Sequence, residues 1–164
     1  MTGGAQGTRI RVAALAAVLL AAGTALAERG DPPQPSQRDK CPVCGMFVYK
    51  YPDWIAEIVF DDGSAVFFDG AKDLFKFFLD MGKYSPGRDK RAVAGIFVRE
   101  YYNIQPMDAR KAYFVTGSDV YGPMGHELIP LASLEDARTF LKDHKGDAVL
   151  RFEEISPAVI RELD

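Results

Sequence analysis

The chain has 164 residues, a formal net charge of −3 at neutral pH, 48% hydrophobic residues and only two cysteines. That balance argues against nucleic acid, whose binding rests on lysine and arginine neutralising phosphate, and no basic cluster is interleaved with aromatics. The apolar fraction suffices for a core without staples, and cysteines separated by only two residues would close too small a loop to stabilise a fold, which leaves redox chemistry or metal binding for them.

Arg9 and Arg11 precede an apolar run from Val12 to Ala22, followed by Ala25-Leu26-Ala27 and then Glu28. This is the order of a charged n-region, an h-region and a small-residue cleavage site, and the run is shorter than the roughly twenty residues a membrane span needs. The expectation is a Sec-type signal peptide over residues 1–27 and a periplasmic mature protein, with an uncleaved membrane anchor as the alternative. Its removal takes away two arginines and no acid, so the mature chain is the more acidic. Residues 28–40 are proline-rich and polar, the composition of a flexible tether.

Beyond the tether, Trp54, Ala56, Ile58 and Phe60 alternate with Glu57 as a strand does, and Asp61-Asp62-Gly63-Ser64 turns the chain into a second strand, Ala65 to Phe68. Asp69 stands at a helix N-cap position, and Leu74, Phe77, Phe78 and Met81 follow at helical spacing up to Gly82. A polar, basic loop, Lys83 to Arg91, leads to a strand over Val93 to Tyr101. The order then recurs: strands at Ala112 to Val115 and Glu127 to Leu131, a helix from Ser133 with Leu134, Ala137, Phe140 and Leu141 on one face, and a last strand, Ala148 to Ile155. The expected class is α+β, two tandem ββαβ units over residues 41–103 and 104–164 with antiparallel sheets covered by helices.

Two segments carry sulfur. Cys41-Pro42-Val43-Cys44-Gly45-Met46 holds three soft donors, and Gly122-Pro123-Met124-Gly125-His126 places a methionine in a turn where it has little to pack against. In an extended segment Cys44 and Met46 would point to one side, and the CxxC turn would bring Cys41 near them. Thioethers suit Cu(I) and serve zinc poorly, so the donor set favours Cu(I) as the bound metal. His126 and Cys41 are supplementary candidates; Met81, Met107 and His144 are expected to be structural. A thiol-disulfide oxidoreductase using Cys41 and Cys44 is one alternative, but such a pair sits at a helix N-terminus after a buried strand, and here a polar tether precedes it. A zinc-stabilised interaction module, with Cys41, Cys44, His126 and an acid, is the other. No nucleophile elbow, phosphate loop or paired catalytic acid is recognisable, so neither enzymatic activity nor a small-molecule substrate is expected.

Together, Cys41-Pro-Val-Cys-Gly-Met-Phe-Val48, Tyr51-Pro-Asp-Trp-Ile55, Phe67-Phe-Asp-Gly-Ala-Lys-Asp73 and Gly122-Pro-Met-Gly-His-Glu-Leu-Ile-Pro130 resemble the NosL family, accessory proteins of nitrous-oxide reductase, over essentially the whole mature chain. The resemblance implies a periplasmic Cu(I)-binding metallochaperone of two related ββαβ units, which delivers copper to nitrous-oxide reductase alongside a membrane ABC-type assembly complex. It implies Cys44, Met46 and Met124 as copper ligands, with His126 and Cys41 as further donors. Many members are lipoproteins anchored through an N-terminal cysteine. No cysteine closely follows the apolar run here, so the chain is expected to be soluble in the periplasm or held by an uncleaved signal.

Overall fold

The structure, a computed structural model, describes residues 1–3 and 32–164; the rest of the expected signal peptide and the first tether residues, 28–31, lie outside the described residues. Helices and antiparallel strands build an α+β fold, as expected.

Strands β1 (Ala56–Phe60) and β2 (Ala65–Phe68) form the first hairpin. Its turn is closed by Asp62, whose Oδ1 accepts the Ser64 N–H at 2.9 Å, with Gly63 at φ +80°, an Asx turn of the kind such residues make. Ala56, Ile58 and Phe60 point into the core as the alternation demands. Trp54 falls instead in a short 3-10 turn, Pro52–Trp54, before the strand.

Helix α1 spans Ala71–Leu79 and buries Leu74, Phe75 and Phe77. Two expectations about it are corrected. Its N-cap is Gly70, not Asp69, and the cap side chain supplies no bond; the Lys72 N–H is instead satisfied by the carboxylate of Glu127, at 2.5 Å, from the other half of the chain. A Cβ on Gly70 would collide with that carboxylate, which is why glycine stands there. The helix also breaks at Asp80, which caps a further turn, α2 (Met81–Tyr84), so Met81 is buried as the first residue of α2 and Gly82 lies within it.

Strand β3 (Val93–Arg99) returns alongside β1, and β4 (Pro106–Asp108) adds an edge, giving the sheet order β2-β1-β3-β4. Proline is tolerated at such an edge, where its missing N–H takes no bond from the ladder. Residues 106–108 thus pair with the first sheet.

In the second half, β5 (Tyr113–Thr116), β8 (Ile129–Leu131) and β9 (Ala148–Arg151) form a sheet in the order β8-β5-β9. Helix α3 (Leu134–Asp143) joins β8 to β9 and is capped by Ser133, whose Oγ accepts the Asp136 N–H at 3.0 Å. In both halves the first strand is central, the second flanks it on one side, and the strand after the helix flanks it on the other, all antiparallel. The ββαβ repeat is therefore visible in the topology.

Two features depart from the expected second unit. A small hairpin, β6 (Tyr121–Gly122) and β7 (Gly125–His126), is inserted between β5 and β8. After β9 the chain leaves strand geometry at Phe152 and ends in α4 (Pro157–Glu162), capped by Ser156 with proline in its first turn.

One core runs through both halves. Phe75 of α1 meets Phe114 of β5 edge-on at 5.2 Å and Phe152 at 5.0 Å, and Ile160 and Leu163 join the same cluster. A second cluster, Val115, Ile129, Leu131, Ala137 and Phe140, seats α3 on its sheet.

Candidate metal centre

Residues 40–47 form a closed loop. Lys40 bridges to Phe47, the Cys41 N–H donates to the Met46 carbonyl at 2.9 Å, and the Gly45 N–H donates to the Cys41 carbonyl at 2.8 Å. Gly45 adopts φ +82°, a left-handed conformation glycine takes without strain. The loop thus folds Cys41 and Cys44 toward each other, as the CxxC turn suggested. Met46 is half-buried, its sulfur 4.0 Å from the Tyr51 hydroxyl.

Facing the loop is the start of α1. The Cys41 thiol lies 3.2 Å from Asp73 Oδ2, and the Cys44 thiol lies 3.2 and 3.4 Å from the two oxygens of Asp69. One donor atom from each of Cys41, Cys44, Asp69 and Asp73 falls within 4.8 Å of all the others. Four ligands about 2.0–2.3 Å from one ion stand roughly 3.3–3.8 Å apart, so a small contraction would gather this set around a metal. Cys41, Asp69 and Asp73 are buried, Cys44 is half-buried, and both cysteines are free thiols.

Burial sets the protonation of the thiols. It raises Cys41 far above the ordinary cysteine range, the nearby Asp73 adding to the effect, and together with the Asp69 carboxylate it pushes Cys44 up to about 12. Each thiol therefore donates its hydrogen to a carboxylate at neutral pH. A thiolate is the species that attacks disulfides and reacts with oxidants, so this arrangement suppresses both. It is the opposite of the activated cysteine that the oxidoreductase alternative requires.

The second sulfur segment is the β6–β7 hairpin. Gly122 pairs with Gly125, so Pro123 and Met124 form its tip, with Gly125 at φ +87°. Met124 is 44% exposed, which agrees with a methionine not used for packing. His126 is exposed, pairs across the hairpin with Tyr121 and lies against its ring at 4.8 Å; it is not part of the cysteine–aspartate group. His144 caps the C-terminus of α3, meets Asp119 Oδ1 at 3.2 Å and stacks on Phe140, and Met107 packs against the core from β4, both structural as expected.

Asp69 and Asp73 were not singled out from the sequence as site residues. An aspartate before a helix satisfies the rules for an N-cap, and one in the first turn suits the helix dipole, so neither demanded a further explanation. Lys72 and Glu127 were also missed, although each is a charged residue that the fold buries.

The NosL family profile matches residues 32–160. A protein of Stutzerimonas stutzeri named copper-binding lipoprotein NosL is 31% identical over 169 residues, covering 94% of this chain and 85% of that protein. The crystal structure of the copper chaperone NosL from Shewanella denitrificans superposes with a TM-score of 0.64 at 27% identity, covering 77% of this chain and 96% of that one. On the extent of the profile match and the identity to the Stutzerimonas protein, this chain belongs to the NosL family.

Proposed function

We propose that this protein is a periplasmic Cu(I) metallochaperone, without catalytic activity, that hands copper to a copper enzyme during its assembly. The observation that carries the reading is the pairing of two buried or half-buried free thiols under two carboxylates, in a family whose relatives are named for copper. Thiolates and thioethers are soft donors that favour Cu(I) over the oxygen-seeking divalent ions. Cys44 and Met46 would hold the ion from the loop, Cys41 from beneath, and Met124 from the hairpin tip, with His126 as a further donor.

Loading then exchanges protons for metal. Each thiol that ligates would release to solvent the proton now shared with Asp69 or Asp73, and the resulting thiolate would hold the cation. Release follows by ligand exchange, an acceptor's donor entering as one protein ligand leaves. The exposed Met124 and half-buried Cys44 provide the point of entry. Nitrous-oxide reductase is the client we favour, in concert with a membrane ABC-type complex, by resemblance of the four sequence motifs to the family's accessory proteins.

A second reading has one observation in its favour: two sulfurs and two carboxylates grouped within 4.8 Å also suit a tetrahedral Zn(II) site. Anaerobic titration of the reduced protein with Cu(I) against a chromophoric Cu(I) chelator separates the two. The chaperone reading expects tight one-to-one binding, lost in Cys44→Ser and unaffected by equimolar zinc. Failure to compete with the chelator, together with zinc binding that raises the melting temperature, would replace it with the zinc module.

A further inference from the structure

We infer that Lys72 is a positioning residue that couples the two sulfur-bearing segments, holding the Met124 hairpin against the same helical turn that engages the cysteines. The inference rests on the proposed copper site and specifies how its two halves are kept in register.

Lys72 is only 2% exposed, an unusual place for an ammonium group, which is costly to bury unless it is paired. Its Nζ donates to the Met124 carbonyl at 2.9 Å and to the Leu163 carbonyl at 3.0 Å, with Asp164 Oδ1 at 3.8 Å. Its backbone N–H donates to Glu127 Oε1 at 2.5 Å, and the Leu128 N–H donates to the same oxygen at 2.8 Å. One residue therefore grips both ends of the segment 124–127, the tip by its side chain and the base by its main chain. Gly70 and Gly122 leave the room in which the Glu127 carboxylate sits.

The neighbours of Lys72 complete the link. Asp73, next in the chain, accepts from Cys41, and Asp69, three residues earlier, accepts from Cys44. Pinning Leu163 would explain part of the burial of Lys72, but not the bond to Met124, whose side chain is 44% exposed while its main chain is fixed. On a partly exposed hairpin tip, such a bond would hold the thioether in place. The hairpin itself has two-residue strands, too short to hold a geometry alone.

The test is a double-mutant cycle read by anaerobic Cu(I) competition. Met124→Leu in the wild type is expected to weaken binding about tenfold, and in Lys72→Met the same change is expected to cost less than about twofold, because the thioether is no longer held there. Lys72→Arg, which keeps the charge and the donors, should restore the penalty. A merely structural role would lower the melting temperature of Lys72→Met and leave the Met124→Leu penalty unchanged. Equal penalties in both backgrounds would overturn the inference alone; no penalty in the wild type would overturn the Met124 ligand reading and the inference with it. If Lys72→Met does not fold, Lys72→Gln, a polar side chain that is one atom shorter than lysine and so falls short of the Met124 carbonyl, carries the same two outcomes.

Discussion

The thiol of Cys44 donates to the carboxylate of Asp69 at 3.2 Å, joining positions twenty-five residues apart in the chain. Both would be polar liabilities in isolation, and each satisfies the other in the absence of metal. Because the anion helps to hold the proton on sulfur, Asp69→Asn should lower the Cys44 pKa from about 12 toward the ordinary cysteine value. Thiolate absorbance and alkylation rate measured against pH read this directly. Faster alkylation at neutral pH is the expected outcome; an unchanged rate would mean that burial alone sets the thiol.

Copper binding should strengthen as pH rises. Both thiols are shifted upward and stay protonated through neutral pH, so every thiolate that ligates must release one proton on loading. Between pH 6 and 8 the apparent dissociation constant should fall about tenfold per pH unit for one cysteine ligand and about a hundredfold for two, provided competition by the chelator is corrected for its own protonation. The slope therefore decides whether Cys41 ligates together with Cys44.

Glu57 lies on β1, 1% exposed, and its Oε2 has no hydrogen-bond partner among the described residues. Burial raises its pKa to about 7, partly offset by the charge of Arg99. With the folded value above the unfolded one, the protonated form favours folding: the contribution is fully present below about pH 4.5 and is lost as pH rises through about 7. The loss amounts to about 3 kcal/mol. Urea denaturation at pH 5 and pH 8 should show a smaller drop for Glu57→Gln than for the wild type, and at pH 8 the variant should be the more stable. An equal drop in the two proteins would show that Glu57 is solvated.

Phe75 bridges the two ββαβ units through Phe114 and Phe152. Truncation to alanine removes a fully buried ring from the shared core and should cost about 3–5 kcal/mol. Since the units share that core, calorimetry should show one cooperative transition in both wild type and Phe75→Ala, at a lower temperature in the variant. Two resolved transitions would show that the halves fold independently.

The alternation at Ala56, Ile58 and Phe60, the Asp62-Gly63 turn and the helix starting at Ser133 were legible in the sequence because each rests on local rules that the tertiary structure leaves intact. The turn that brings the two cysteines of the CPVCGM segment together was legible for the same reason, its spacing and its glycine both allowing the chain to bend there. Glu127 capping α1 from another part of the chain was not legible, since the contact spans fifty-five positions. Asp69 and Asp73 were hidden by their own plausibility at a helix start. The hairpin β6–β7 and strand β4 are too short for periodicity to register. Helix α4 could have been found, because Ser156-Pro157 is an N-cap followed by proline, the usual opening of a helix.

X-ray absorption of the Cu(I)-loaded protein, recorded beside Cys44→Ser, tests the central claim most directly. The account predicts a low-coordinate ion with at least two sulfur neighbours in the wild type and one fewer in the variant. A first shell of nitrogen and oxygen alone, or a sulfur count unmoved by Cys44→Ser, would contradict it and remove the cysteine loop from the copper site.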